Sequence, residues 1–231
     1  MNKHLLILGD SVFDNTLYLK PDELDGQAWL KKAMPNYHQT FLAVDGATTH
    51  HVIKHQIKYI KDAVKANGEI TDLIISIGGN NLLGETTLLG VKTPTVMDGM
   101  SLFRSRQATF AREYSEMWDA IKSTLDDADC YPNHYVLGVY YACFKAEQDN
   151  PTRRFPTDKK FQKASRLAVD CFNMEIIKSL MANDIELSNY IDLNVLFSYG
   201  RNAEYYANPI EPSSYGSETI ANELQYLISK S

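Results

Sequence analysis

Leu5-Leu6-Ile7-Leu8-Gly9-Asp10-Ser11-Val12-Phe13-Asp14-Asn15 reads as a buried strand running into a turn of small and acidic residues. Four consecutive apolar residues without alternation fit a strand covered on both faces, as in a parallel sheet. A glycine at position 9 allows close backbone approach at the turn. Ser11 falls where strand gives way to loop, so its hydroxyl can project above the sheet and its N–H can face an oxyanion. Taken alone, Gly9-Asp10-Ser11 has a second reading, because Asp and Ser are both good helix N-caps.

Outward from this stretch the same signature recurs. Thr40–Val44, Leu73–Ile77, Tyr135–Tyr140 and Tyr190–Leu193 are further strand candidates. Between them lie helical stripes. Val52, Ile53, Ile57, Ile60 and Val64 share one face, as do Phe110, Tyr114, Met117, Trp118 and Ile121. Phe161 to Leu180 and Ile220 to Ile228 mark two more helices. Alternation of strand and helix predicts one α/β domain over residues 1–231, doubly wound around about five parallel strands. Asn81–Ser101, Ala142–Pro156 and Asn194–Ser213 interrupt the rhythm, each after a predicted strand. Ligands of such folds bind outside the carboxyl ends of the strands, which makes these segments candidate walls or lids. Ordinary surface loops are the alternative.

The chain, at 231 residues, is long enough to bury a core without disulfides or metals. Its net charge of −6 argues against a nucleic-acid backbone or an anionic membrane as main partner. Cys130, Cys143 and Cys171 are odd in number and lack C-x-x-C spacing, which points to buried free thiols. The apolar run at the N-terminus is shorter than the roughly 7–15 residues of a signal peptide. No run approaches the ~20 apolar residues of a membrane span. These features predict a cytoplasmic protein. Without a phosphate loop, a metal-ligand cluster or a dinucleotide fingerprint, no cofactor and no metal are expected.

Two further turns follow the second and third candidate strands. The first is Val44-Asp45-Gly46-Ala47-Thr48 and the second is Ser76-Ile77-Gly78-Gly79-Asn80-Asn81. Gly46 offers a bare backbone N–H and Asn80 a side-chain amide. With the Ser11 N–H they make three donors for a tetrahedral oxyanion, and removing one such donor typically costs ~3–4 kcal/mol in the barrier. Each turn alone reads as a tight connection into a helix. Three in this order read as a site.

In these blocks the chain resembles the SGNH (GDSL-type) hydrolase superfamily. The resemblance implies a flavodoxin-like three-layer sandwich that hydrolyses esters, including acetyl groups on carbohydrates and acyl chains on lipids. It places Ser11 at the nucleophile and Ser11, Gly46 and Asn80 at the oxyanion donors. The expected partner is then a small-molecule, carbohydrate or lipid ester.

The chain departs from that pattern in its last block. Most of the superfamily has Asp-x-x-His there, followed by Pro-Ser, Gly and a helix. Here the block reads Asn208-Pro209-Ile210-Glu211-Pro212-Ser213, with Gly216 and an amphipathic terminal helix after it. Asn81 likewise stands where Gly-x-Asn-Asp is usual. The stretches Gly9–Asn15, Val44–Thr48 and Tyr206–Ser213 together resemble a branch of the superfamily in which Glu holds the His position.

A serine hydroxyl needs a base, and a free Glu with a pKa of about 4.3 is a weak one unless burial raises it. Three arrangements follow. Glu211 is itself the base; or Glu211 orients a His from elsewhere, with His4, His50, His51 and His134 as candidates; or the site binds an ester without turning it over. Glu211 also suits the N-terminus of the last helix electrostatically. Asp10, Asp14, Asn81 and Asn208 are expected around the substrate, with bracing of the turn as the other role of Asp10; Asp14 and Asn15 are candidates for the pocket floor, with Asx-turn roles as the alternative. Arg153, Arg154, Asp192 and the Tyr205–Tyr206 pair are further candidates, each with an ordinary surface or packing role beside it.

Overall fold

A computed structural model describes residues 3–89, 95–146 and 159–230. Strand β1 (Lys3–Gly9) leads through α1 (Gly26–Ala33) to β2 (Tyr37–Phe41). A long helical path follows: α2 (Thr49–His51), a π-helical turn (Val52–Gln56), a 3-10 turn (Ile57–Tyr59) and α3 (Ile60–Asn67). Next come β3 (Asp72–Ser76), α4 (Gly79–Leu89), α5 (Val96–Asp126), β4 (Asn133–Leu137) and α6 (Lys159–Ala182). The chain ends with β5 (Tyr190–Ile191), α7 (Leu193–Leu196), β6 (Tyr206–Asn208), β7 (Glu211–Pro212) and α8 (Ser214–Ile228).

Five parallel strands form one sheet in the order β2-β1-β3-β4-β5, and β6 and β7 form a separate antiparallel pair. This is the flavodoxin-like order, in which the chain switches direction between β1 and β3. Helices cover both faces. Leu6, Leu8, Leu73, Ile75 and Val136 point to one side, against Phe110, Trp118 and Phe172 of α5 and α6. Leu5, Ile7, Ile74 and Tyr135 point to the other, against Leu30 of α1 and Leu224 of α8. The unbroken apolar runs of the central strands follow from this double burial. No described helix is long and apolar enough to cross a membrane.

Several expectations shift, among them the fourth strand, which is Asn133–Leu137 where Tyr135–Tyr140 is expected. The second strand is Tyr37–Phe41, paired with Lys3–Ile7, although Leu42 N and Val44 N still donate to Ile7 O and Gly9 O, at 2.9 and 3.1 Å. The edge strand is half-buried along most of its length and lacks the apolar run that marks a central strand. Helix α4 occupies the start of the segment read as a loop from Asn81. Its leucines come in adjacent pairs, Leu82-Leu83 and Leu88-Leu89, with Gly84 between them, so no 3.6-residue stripe announces it. Helix α1 was not anticipated; Asp25 caps it by accepting from Ala28 N at 2.8 Å.

Candidate active site

The turn that carries Ser11 is compact. Phe13 N and Asp14 N both donate to Asp10 O, at 3.1 and 3.2 Å, and Val12 N donates to Asp10 Oδ1 at 3.2 Å. Gly9 is required at its base: a Cβ there would lie 2.5 Å from Ser76 O. Gln56 clamps the same residue from the other side, accepting from Gly9 N at 3.0 Å and donating to Gly9 O at 2.8 Å. The π-helical turn carries Gln56 into this buried position. Neither the turn nor the role of Gln56 was read from the stripe of apolar residues around it.

A cleft of about 810 Å³, open to solvent, lies at the carboxyl ends of β1, β3 and β4. Asp10, Ser11, Val12, Ser76, Gly79 and Asn80 line it from the switch point between β1 and β3. Leu82 and Leu83 of α4, Val139 and Tyr140 after β4, Phe144, and Phe161 and Val169 of α6 form apolar walls. Ile210 and Glu211 close the remaining side from the β6–β7 hairpin. The structure thus brings Asp10, Ser11, Asn80 and Glu211 to one cleft from three places in the sequence.

The electrostatics are dominated by two buried carboxyls. Burial pushes Glu211 up to about 8, the Ser11 hydroxyl within donating reach holds it down, and the negative charges of Asp10 and Asp45 raise it further. Burial likewise pushes Asp10 up to about 7, against the Val12 N–H and Ser76 hydroxyl that favour its ionised form. Glu211 Oε2 is buried without a hydrogen-bond partner among the described residues. Tyr140, whose hydroxyl donates to Ile210 O, is the other ionisable group of the described lining; burial and then the charge of Glu211 raise it well above its usual range. None of the described lining residues is Lys, Arg or His.

Other expected site residues are placed differently. Gly46 is exposed in a left-handed turn (φ +77°) outside the lining. Its turn is nevertheless tied to the cleft, because Asn80 Nδ2 donates to Ala47 O at 3.1 Å. Among the described residues no acceptor is recorded for the N–H of Ser11 or of Gly46. Asp14 does not face the cleft; it accepts from Asp45 N at 2.9 Å and braces one turn against the next. Asn81 also lies outside the lining. It accepts from Thr49 N at 3.1 Å and donates to Thr49 Oγ1 and Glu113 Oε2, at 2.9 and 3.2 Å, fastening α4 to α2 and α5. Asn208 is buried and accepts from Ile210 N at 3.1 Å, shaping the hairpin turn rather than a substrate contact.

The histidine candidates are elsewhere. His4 is bound to Gly68 O and Thr40 Oγ1 at the opposite end of β1, and His134 packs edge-on against Trp118 at the start of β4. His50 is exposed, and His51 packs against the His55 ring at 4.7 Å. Asp192 caps α7 through Asn194 N. Tyr205 is stacked between Phe197 and Tyr215, and Tyr206 donates to Tyr141 O, so this pair packs its loop rather than walling the cleft. Arg153 and Arg154 lie outside the described residues.

No family model matches the sequence. No curated protein matches it either. Solved structures do. An extracellular lipase from Streptomyces rimosus superposes with a TM-score of 0.65 at 15% identity, over 99% of both chains. A lipase, Lip_vut3, from a goat rumen metagenome gives 0.66 at 20% identity over 97% of both. A candidate SGNH hydrolase from Slackia heliotrinireducens gives 0.59 at 16% identity, over 99% of this chain and 100% of that one. At such identities the likeness is one of fold: this chain has the α/β fold of the SGNH and GDSL-type lipases and hydrolases.

Proposed function

We propose that the chain is a serine ester hydrolase in which Glu211 takes the place of an imidazole. The observation that carries this reading is the meeting of Ser11 and Glu211, 200 residues apart in sequence, inside one largely apolar cleft. Ser11 Oγ attacks the ester carbonyl carbon and its proton passes to the Glu211 carboxylate. The Ser11 N–H and the second N–H of the Asn80 amide receive the developing oxyanion, with the Gly46 N–H as a third donor. Collapse expels the alcohol, which takes the proton from Glu211. Water then gives a proton to Glu211 and attacks the acyl-serine, releasing the acid and restoring Ser11.

A carboxyl at about 8 supports Glu211 as a base. Base strength rises with pKa, and a value near the working pH is best suited to proton transfer. The apolar walls suit an acyl chain, and two carboxyls with no cation among the described lining residues disfavour an anionic substrate. An uncharged acyl ester fits best. A second reading, binding of an acylated sugar or other ester without turnover, is favoured by the lack of an imidazole among the described lining residues.

One experiment separates them: hydrolysis of p-nitrophenyl acetate and butyrate across pH 5–10 by the unaltered chain and Ser11→Ala. Expected is Ser11-dependent turnover that rises with pH through a midpoint near 8, as Glu211 ionises. Loss of Ser11 should cost about 10⁴-fold. Two proteins indistinguishable from buffer, with ester still bound, would favour the binding reading.

A further inference from the structure

We propose that Asn15 is a positioning residue that sets the Ser11 hydroxyl against the Glu211 carboxyl. The inference rests on the serine-hydrolase reading and extends it to a residue outside the cleft. Asn15 is fully buried. Its Nδ2 donates to Pro212 O at 2.9 Å and to Ser217 Oγ at 3.2 Å, while its Oδ1 accepts from Gly26 N at 3.0 Å. All three bonds leave one planar group in fixed directions, and only an amide supplies two donors and an acceptor in that form.

The partners are what give the contact its meaning. Asn15 lies four residues beyond Ser11, at the end of the turn closed on Asp10 O, so its position is handed back to the nucleophile through a short rigid path. Pro212 directly follows Glu211, and Ser217 lies in the first turns of α8. The hairpin that bears Glu211 has only two strands and cannot locate itself relative to the sheet. Asn15 makes a direct hydrogen-bonded link from the Ser11 segment to that hairpin. A second tie between the chain ends, Trp29 Nε1 to Ser214 Oγ at 2.9 Å, joins α1 to α8 and touches neither reacting residue's turn.

The test compares Asn15→Ala, the milder Ser217→Ala and the control Trp29→Phe by kcat, KM, pH midpoint and Tm on p-nitrophenyl butyrate. For Asn15→Ala, kcat should fall roughly 10- to 100-fold through misplacement of the reacting groups. KM should hold within about twofold, since the cleft walls belong to other elements. The pH midpoint should rise as the Ser11 hydroxyl loosens its hold on Glu211. Ser217→Ala should move kcat and midpoint the same way by less, which keeps the test open where Asn15→Ala fails to fold. Trp29→Phe should lower Tm alone. If the Asn15 and Ser217 variants lose Tm but keep kcat and midpoint, as the control does, the positioning role is overturned and the hydrolase reading stands. If the unaltered chain shows no Ser11-dependent turnover, the hydrolase reading is overturned and the positioning role goes with it.

Discussion

Ser11 grows out of β1, a strand hydrogen-bonded on both sides to β2 and β3, whereas Glu211 sits on a two-residue strand paired only with β6. The first is located by the sheet. The second is located by a set of individual bonds: Asn15 Nδ2 to Pro212 O, Cys143 N to Pro209 O at 2.8 Å, Ser213 N to Tyr205 O at 2.9 Å, and Tyr140 OH to Ile210 O. Backbone ladders tolerate side-chain change, because the peptide groups that form them are the same for nearly every residue. Bonds from named side chains do not, and two of these four, from Asn15 and Tyr140, are of that kind. The Ser11 side of the cleft is therefore robust and the Glu211 side is more dependent on a few residues.

The sharpest way to break this comparison is Glu211→Gln. It should lower kcat/KM by about 10²- to 10⁴-fold, the range for losing a general base. Stability should move the other way. With its folded value at about 8 against an ordinary 4.5, the carboxyl keeps its proton in the folded chain while the unfolded chain loses it. The unaltered chain then loses stability as pH rises from about 4.5 to 8, and Glu211→Gln should lose less, keeping only the share that Asp10, raised to about 7, contributes. Thermal melts of both proteins across that range check the sign. Equal slopes would show that Glu211 is already ionised in the fold.

Asp10→Asn gives a smaller change and bears on the sheet side. Asn keeps an acceptor for Val12 N and removes a like charge from the neighbourhood of Glu211. The pH midpoint of hydrolysis should move to lower pH, with Ser11 dependence retained. A midpoint that stays in place would mean that Asp10 is neutral throughout the active range. The smallest effect on turnover is expected for Asn81→Ala. It removes bonds to Thr49 and Glu113, so stability should fall by about 1–3 kcal/mol with kcat nearly unchanged. A large loss of kcat there would return Asn81 to the substrate side of the site.

The same contrast separates what was legible in the sequence from what was not. Leu5–Leu8 and Leu73–Ile77 announce central strands, and with them the places where Ser11 and Asn80 leave the sheet. Glu211 could be singled out because the residues that frame it, Pro212-Ser213 and the terminal helix, keep their spacing. Its environment could not: the charge of Asp10 and the depth of burial are three-dimensional facts. The π-helical turn is equally hidden, because the stripe from Val52 to Val64 fits a uniform helix and the extra residue matters only once Gln56 meets Gly9. Asp14, Asn81 and Asn208 were expected near substrate as polar residues in the right blocks. Each instead satisfies a backbone N–H that the tight turns leave without a ladder partner.

Side-chain amides also finish the strands around the cleft. Gln56 pairs with both polar groups of Gly9 after β1, and Asn173 does the same for Val139 after β4, at 2.8 and 2.7 Å. Each amide copies the hydrogen-bonding edge of a peptide. That imitation carries a chemical clock. Deamidation at Gln56, Asn173 or Asn15 would replace an N–H donor with a carboxylate oxygen facing a carbonyl. Loss of any one of these amides would strike the surroundings of the cleft while the apolar layers beneath were still intact.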